Sequence, residues 1–179
     1  MLATPRLLLL SLVLAACAGG PPSTAPLPPA DAAEYAATLC TATDELFLAI
    51  GNPDAGVPSA SWKAFEDAIE AGDVAALDRA GTTVLAHLDA ARTANARGAT
   101  FPPGTAANAE LEALLVAVDT YVRAVLEARG DKAVASAAEA AAGPAWERHW
   151  PGWLSALQAL GAAGVPIANL PCATDEPRA

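Results

Sequence analysis

Basic residues, aromatic residues and cysteine are all scarce in this chain of 179 residues. Lys and Arg together number 10 against 20 Asp and Glu, which gives a formal net charge of -10. A polyanion would be repelled by such a surface, and because no basic stripe offsets the charge, we expect no nucleic-acid partner. Apolar runs are also short. None reaches the roughly 20 residues that a membrane-spanning helix needs, so we expect no such helix.

The common signatures of catalysis and cofactor binding are also missing. The sequence has no Walker-type glycine loop, no dinucleotide fingerprint, no Cys-x-x-Cys, no Gly-x-Ser-x-Gly and no His-Glu-x-x-His. Its two histidines, His87 and His149, do not show the Glu-x-x-His spacing of di-metal helical bundles. We therefore expect a protein that is not an enzyme and that uses no cofactor and no metal.

Two further features of the sequence could support catalysis or metal binding only if the fold placed other groups beside them. Glu66 and Glu70 lie four residues apart on one face of a predicted helix. They could act together as acid and base if burial separated the pKa values of their two carboxyl groups. The neighbouring Lys63 and Asp67 instead favour a solvated face. His87 lies about 110° from the centre of the apolar stripe of its helix, so we interpret it as a boundary histidine rather than a metal ligand.

One short apolar run, Leu7 to Ala16, is present between Arg6 and Cys17. A charged start followed by a short apolar stretch and small residues is typical of an export signal. The segment Leu14-Ala15-Ala16-Cys17 resembles the lipobox of bacterial lipoproteins, in which signal peptidase II cuts before a cysteine that carries a diacylglyceryl group. The resemblance implies a signal peptide over residues 1–16 and acylation of Cys17, and it covers nothing beyond. The alternative is an ordinary secretory signal with Cys17 as an exported thiol.

The resemblance also implies where the protein is located and how it is attached there. The protein would be anchored on the extracytoplasmic side of the cell membrane, or in the outer membrane of a Gram-negative host. Residues 17–30 would form a proline-rich tether, which at about 3.1 Å per residue reaches roughly 40 Å. Loss of Arg6 leaves nine basic residues and a formal net charge of -11, so the acyl chains are the expected membrane contact.

After the tether, residues 31–172 have the length of one domain, followed by a polar tail over 173–179. Cys40 and Cys172 lie near the two ends of this domain. An exported domain meets an oxidising environment, so we expect one disulfide between them, worth about 4 to 5 kcal/mol in the chain-entropy model. The alternative is that both thiols stay reduced and buried.

Helical periodicity dominates the domain, and strand alternation is nearly absent. A first helix ends at Ile50, a second is capped by Ser59 or Ser61, a third runs from Asp73 to about Ala96, and a fourth opens at Thr105 or Asn108 and stops at Gly130. Asp131 caps a short alanine-rich helix through Ala142. Gly143-Pro144 restarts the chain, and Pro151 breaks the helix again. These segments predict an all-α, irregular bundle of about five or six helices, closed by the disulfide.

Three of the four tryptophans fall within eight residues, in what we call the tryptophan cluster: Trp146, His149, Trp150 and Trp153. Tryptophan offers a large contact area and a polar N–H, so the cluster could line a ligand pocket. We favour a packing role, because the alanine-rich helix before it leaves volume that large side chains must fill.

Two functions therefore follow from the sequence. The first is a lipid-anchored helical domain for non-enzymatic binding or scaffolding of an unknown partner, for which an envelope protein is one candidate. The alternative is capture of a small apolar or aromatic ligand by the tryptophan cluster.

Overall fold

Five α-helices make up most of residues 29–167, the part of the chain that the computed structural model describes. They are α1 (Pro29–Ile50), α2 (Ala60–Ala71), α3 (Val74–Arg97), α4 (Thr105–Glu127) and α5 (Lys132–Ala162). A two-residue antiparallel pair, β1 (Gly51–Asn52) with β2 (Val57–Pro58), forms a small hairpin between α1 and α2. The prediction of an all-α protein with about five helices is confirmed.

Several sequence predictions concern residues outside this range. The signal peptide, Cys17, most of the tether, Cys172 and the polar tail all lie outside the described residues. Cys40 lies on α1 and is the one cysteine within residues 29–167, so the Cys40–Cys172 disulfide stays a prediction. Pro29 and Ala30, which we assigned to the tether, begin α1 instead. Proline is compatible with a first helical turn, where its missing N–H would have no partner.

The helix boundaries follow local capping chemistry closely. The Ser59 hydroxyl accepts a hydrogen bond from the Trp62 N–H at 3.0 Å and caps α2. Gly72 ends that helix with a left-handed φ of 67°. The carboxylates of Asp73 and Asp131 accept from backbone N–H groups of the first turns of α3 and α5. Ser59, Asp73 and Asp131 each satisfy donors that a helix leaves unpaired at its start, which is why the sequence predicts caps at these positions.

The predicted breaks in α5 are wrong. Residues 132–162 form one continuous helix with Pro144 and Pro151 inside it, and this helix is the longest of the five. Both prolines are exposed, so the carbonyls of Ala140 and Glu147 that lose an N–H partner lie on the solvent side. The opposite face of α5 buries Trp150 and Trp153, and burying each ring stabilises the fold by about 4 to 6 kcal/mol. That exceeds the cost of about 3 kcal/mol for each proline.

The third helix lies at the centre of the bundle. It packs against α1, α2 and α4, while α5 packs mainly on α4. Leu77, Val84 and Leu88 on its predicted stripe are all buried. Gly81 lets α4 approach closely, since a Cβ there would lie 2.7 Å from a methyl carbon of Leu126. None of the helices in residues 29–167 combines the length and the hydropathy needed to cross a membrane.

Candidate functional site

The structure divides the tryptophan cluster between the core and the surface. Trp153 is 2% exposed and Trp150 is 9% exposed, so both belong to the hydrophobic core. Trp146 is half-buried and stacks on Trp150 with ring centroids 5.3 Å apart and an interplanar angle of 12°. Trp150 in turn contacts Trp153 at 5.2 Å. Trp146 is therefore the outer member of a row of three rings that continues into the core.

His149 points away from this row. Its Nδ1 lies 2.7 Å from Oε2 of Glu110 on α4, and a Cβ on Gly152 would lie 2.9 Å from the same carboxylate. His87 forms a similar pair with Glu45 of α1 at 2.8 Å. The two histidines thus join different helix pairs. Within residues 29–167, no group of three or more His, Cys, Asp or Glu side chains is placed to hold a metal ion.

An open cavity of about 660 Å³ lies where the hairpin, α2, α4 and α5 meet. We call it the aromatic groove. Its lining residues come from these four elements and from the end of α1: Ile50, Asn52, Pro53, Gly56, Val57, Pro58, Trp62, Glu66, Ala117, Val118, Tyr121, Glu139, Ala142, Gly143, Trp146 and Glu147. Of the tryptophan cluster, only Trp146 is among them.

One wall of the aromatic groove is formed by α2 and α4. The rings of Trp62 and Tyr121 lie 5.7 Å apart, and both contact the buried Phe65 behind them, at 5.8 Å and 6.1 Å. Phe65 is fully buried, whereas Trp62 and Tyr121 are half-buried. The Trp62 indole N–H donates to Oε1 of Glu66 at 2.8 Å. The core thus holds this wall in place, and its outer ring faces stay accessible.

The opposite wall belongs to α5. Trp146 is fixed by its stack on Trp150, and the small residues Ala142 and Gly143 lie one turn before it. A Cβ on Gly143 would meet no atom within 4 Å, so this position leaves open space. Lys132 Nζ donates to the Glu70 carbonyl at 2.9 Å and ties the start of α5 to the end of α2.

The hairpin closes one end of the groove. Gly51 has a φ of 101°, and a Cβ there would lie 2.2 Å from the Val57 carbonyl oxygen, so only glycine fits this position. The Asn52 side chain accepts from the backbone N–H of Asp54 at 3.0 Å and shapes the turn. The Trp150 indole N–H donates to Oδ1 of Asp54 at 3.3 Å. The hairpin is therefore attached to α5 as well as to α1 and α2, the two helices that it connects.

Three carboxylates lie at the edge of the aromatic groove, and no basic residue lines it. Glu66, Glu139 and Glu147 are all exposed. Burial raises the pKa of the Tyr121 hydroxyl, and the negative charges of Glu139 and Glu66 raise this pKa further. The phenol of Tyr121 is thus a neutral group in a negatively charged, mostly apolar cavity.

The other acidic candidates from the sequence do not form a site. Glu66 binds the Trp62 indole rather than acting with Glu70, and both side chains are exposed. Lys63 forms an ion pair with Asp67 at 2.8 Å on the same solvated face. No paired-carboxylate chemistry is arranged here.

Sequence reasoning missed the groove and identified only one of its three rings, Trp146. Trp62 and Tyr121 each fall on the apolar stripe of their own helix, and their mutual contact joins residues 59 positions apart. Nothing in the periodicity indicates that α2 and the middle of α5 face each other across a gap.

Comparisons with protein-family models, with curated proteins and with solved structures gave no match for this chain. The aromatic groove is therefore interpreted from its own shape and chemistry.

Proposed function

We propose that this protein is a lipid-anchored, extracytoplasmic binding protein that captures a small molecule with an apolar or aromatic body in the aromatic groove. The observation that carries the proposal is an open cavity of about 660 Å³ lined by the half-buried rings of Trp62, Tyr121 and Trp146. This volume falls within the range of small-molecule sites. A ligand that covers these rings gains about 25 cal/mol for each Å² of apolar surface removed from water.

The construction of the site favours ligand binding over simple packing. Rings that only fill a core are covered on both faces, as Trp153 is. Trp62, Tyr121 and Trp146 are each held from behind by another aromatic ring, and each contributes to the cavity surface. Rigid rings lose little side-chain entropy when a ligand binds, which improves affinity.

The location is part of the proposal. Cys17 would carry the diacylglyceryl anchor, and the tether would keep the helical domain within roughly 40 Å of the membrane surface. A Cys40–Cys172 disulfide would tie α1 to the segment that follows α5. Mass spectrometry of the unreduced mature protein tests both points. We expect a diacylglyceryl mass on Cys17 and a linked peptide containing Cys40 and Cys172. An unmodified Cys17 would overturn the anchor, and reduced thiols would overturn the disulfide.

The binding site is tested on the mature chain from residue 17, with Cys17→Ser so that no lipid is attached. Small aromatic compounds of positive, neutral and negative charge are titrated by calorimetry against the wild-type groove and against Trp62→Leu and Trp146→Leu. We expect at least one compound to bind, with affinity about tenfold lower in either variant. Val116→Ala is the control, because Val116 is an exposed apolar residue of α4 that does not line the groove.

Two results would contradict the site. The first is that no compound in the panel binds. The second is that binding is the same in both tryptophan variants while far-UV circular dichroism shows that they are folded. Either result would favour the scaffolding function that the sequence also allows.

A further inference from the structure

We infer that the ligand of the aromatic groove is an organic cation, an ammonium-type group on an apolar or aromatic body. This inference rests on the proposed function and adds the charge of the ligand to it. Aromatic ring faces and carboxylates line the same small cavity, and no basic residue is among its lining side chains. The aromatic rings and the carboxylates both attract a cation, so the combination selects a positively charged ligand.

The rim carboxylates are available to a ligand. Within residues 29–167, Glu139 and Glu147 make no hydrogen bond or ion pair with another side chain, and both project from α5 beside Trp146. Lys63 pairs with Asp67, and Arg123 pairs with Asp119 through two hydrogen bonds, so these two cations beside the α2 and α4 wall are engaged elsewhere. Arg148 follows Glu147 on α5 but does not line the groove. The lining of the groove thus carries three carboxylates and no basic side chain.

The rings add an attraction of the same sign. A cation within about 6 Å of the face of tryptophan or tyrosine is attracted by the ring quadrupole, by about 0.5 to 2 kcal/mol depending on how far it is desolvated. Trp62, Tyr121 and Trp146 supply three such faces around one cavity. The Trp62 N–H already donates to Glu66, which orients that indole and leaves its face for a ligand.

Ligands of other charge fit less well. An anion would approach three carboxylates without a basic partner in the lining, and like charges at short range are costly. A neutral apolar ligand would cover the rings but would also strip water from the rim carboxylates without replacing it. A cation replaces that water with an ion-pair contact and covers the rings at the same time.

The experiment uses three probes with the same phenyl ring. Benzyltrimethylammonium is the cation, neopentylbenzene is its neutral isostere, and phenylacetate is the anion. Each is titrated against the mature chain carrying Cys17→Ser and against a double variant, Glu139→Gln with Glu147→Gln. Glu70→Gln with Glu127→Gln is the control, because it changes the net charge by the same amount at two exposed carboxylates outside the groove.

We expect the cation to bind the wild-type groove at least about tenfold more tightly than the neutral isostere, with no detectable binding of the anion. In the Glu139/Glu147 variant this preference should fall below about threefold, whereas the control should keep it. Equal binding of the cation and its isostere would overturn the assignment of charge and leave the groove as an apolar site. Tighter binding of the anion would overturn the charge assignment as well. Failure of all three probes to bind would count against the proposed function itself.

Discussion

Replacement of Tyr35 by phenylalanine tests how the end of the bundle remote from the groove is held together. The Tyr35 hydroxyl is buried and donates to Oδ1 of Asn108 at 2.9 Å, with the Gly104 carbonyl oxygen also within 3.2 Å. Within residues 29–167 this is the one hydrogen bond that the Asn108 side chain makes, because its Nδ2 has no partner. Phenylalanine keeps the stack on Phe101, whose ring centroid lies 4.5 Å away, and removes only the donor.

The expected cost at neutral pH is about 1 to 3 kcal/mol, the penalty for leaving a buried amide oxygen without its donor. The pH dependence gives a second signature. Burial raises the pKa of Tyr35 to about 12, from the value of about 10 that tyrosine has in an unfolded chain. The neutral phenol is favoured in the folded state, so this stabilisation is complete below about pH 10 and is lost as the pH rises toward about 12. The loss amounts to about 2 to 3 kcal/mol.

The assay is urea unfolding followed by far-UV circular dichroism at about pH 8 and about pH 11. The difference between wild type and Tyr35→Phe cancels the deprotonation of lysines, which affects both proteins. We expect this difference to shrink at the higher pH. Tyr121→Phe is the control, because it removes the other tyrosine and leaves the Tyr35 effect in place. A stability difference that is absent at neutral pH, or that does not shrink at high pH, would refute the reasoning.

Three further substitutions test other parts of the fold by the same unfolding assay. Gly104→Ala should lower the free energy of unfolding by about 1 to 3 kcal/mol, because its Cβ would lie 2.2 Å from Cζ of Tyr35. Pro151→Ala should raise it by up to about 3 kcal/mol, since α5 regains an internal hydrogen bond on its exposed face. Trp153→Ala should lower it by about 3 to 5 kcal/mol, and Trp146→Ala should lower it by clearly less, because Trp146 is half-buried.

Each substitution has a result that would contradict it. Gly143→Ala is the control for Gly104→Ala, because its Cβ would meet no atom within 4 Å, so equal losses in the two would count against steric overlap with Tyr35. A Pro151→Ala variant no more stable than wild type would show that the ring makes contacts that offset its cost. Equal losses in the free energy of unfolding for Trp153→Ala and Trp146→Ala would indicate that both side chains belong to the core. That result would contradict the distinction between them.

The sequence predicts those parts of the fold that depend on neighbours in the chain. Asp73 and Asp131 are predicted as caps, and Ser59 as one of two candidates with Ser61, because a side-chain oxygen satisfies N–H groups only two or three residues ahead. The buried stripes of α3 and α4 were also predicted, because one face of each helix must leave water. Pro144 and Pro151 were misjudged for the opposite reason: local rules favour a break, and the burial of tryptophan rings against α4 outweighs them.

The aromatic groove could not be predicted because it depends on the spacing between helices. Trp62 of α2 and Trp146 of α5 lie on opposite walls and are 84 residues apart along the chain (146 − 62 = 84). A sequence search for clustered tryptophans finds Trp146 together with two core residues and misses Trp62 and Tyr121. Likewise, Glu139 and Glu147 are ordinary exposed carboxylates until the fold places them beside these rings.

The most direct test of the account is the response of the four tryptophan indole N–H signals in a ¹H–¹⁵N NMR spectrum as benzyltrimethylammonium is added. The account predicts saturable shifts for Trp62 and Trp146, which line the groove, and little change for Trp153, which is 2% exposed in the core. Trp150 stacks on Trp146 and should move by an intermediate amount. No shift in any signal, or a larger shift for Trp153 than for Trp62 and Trp146, would contradict a ligand site in the aromatic groove.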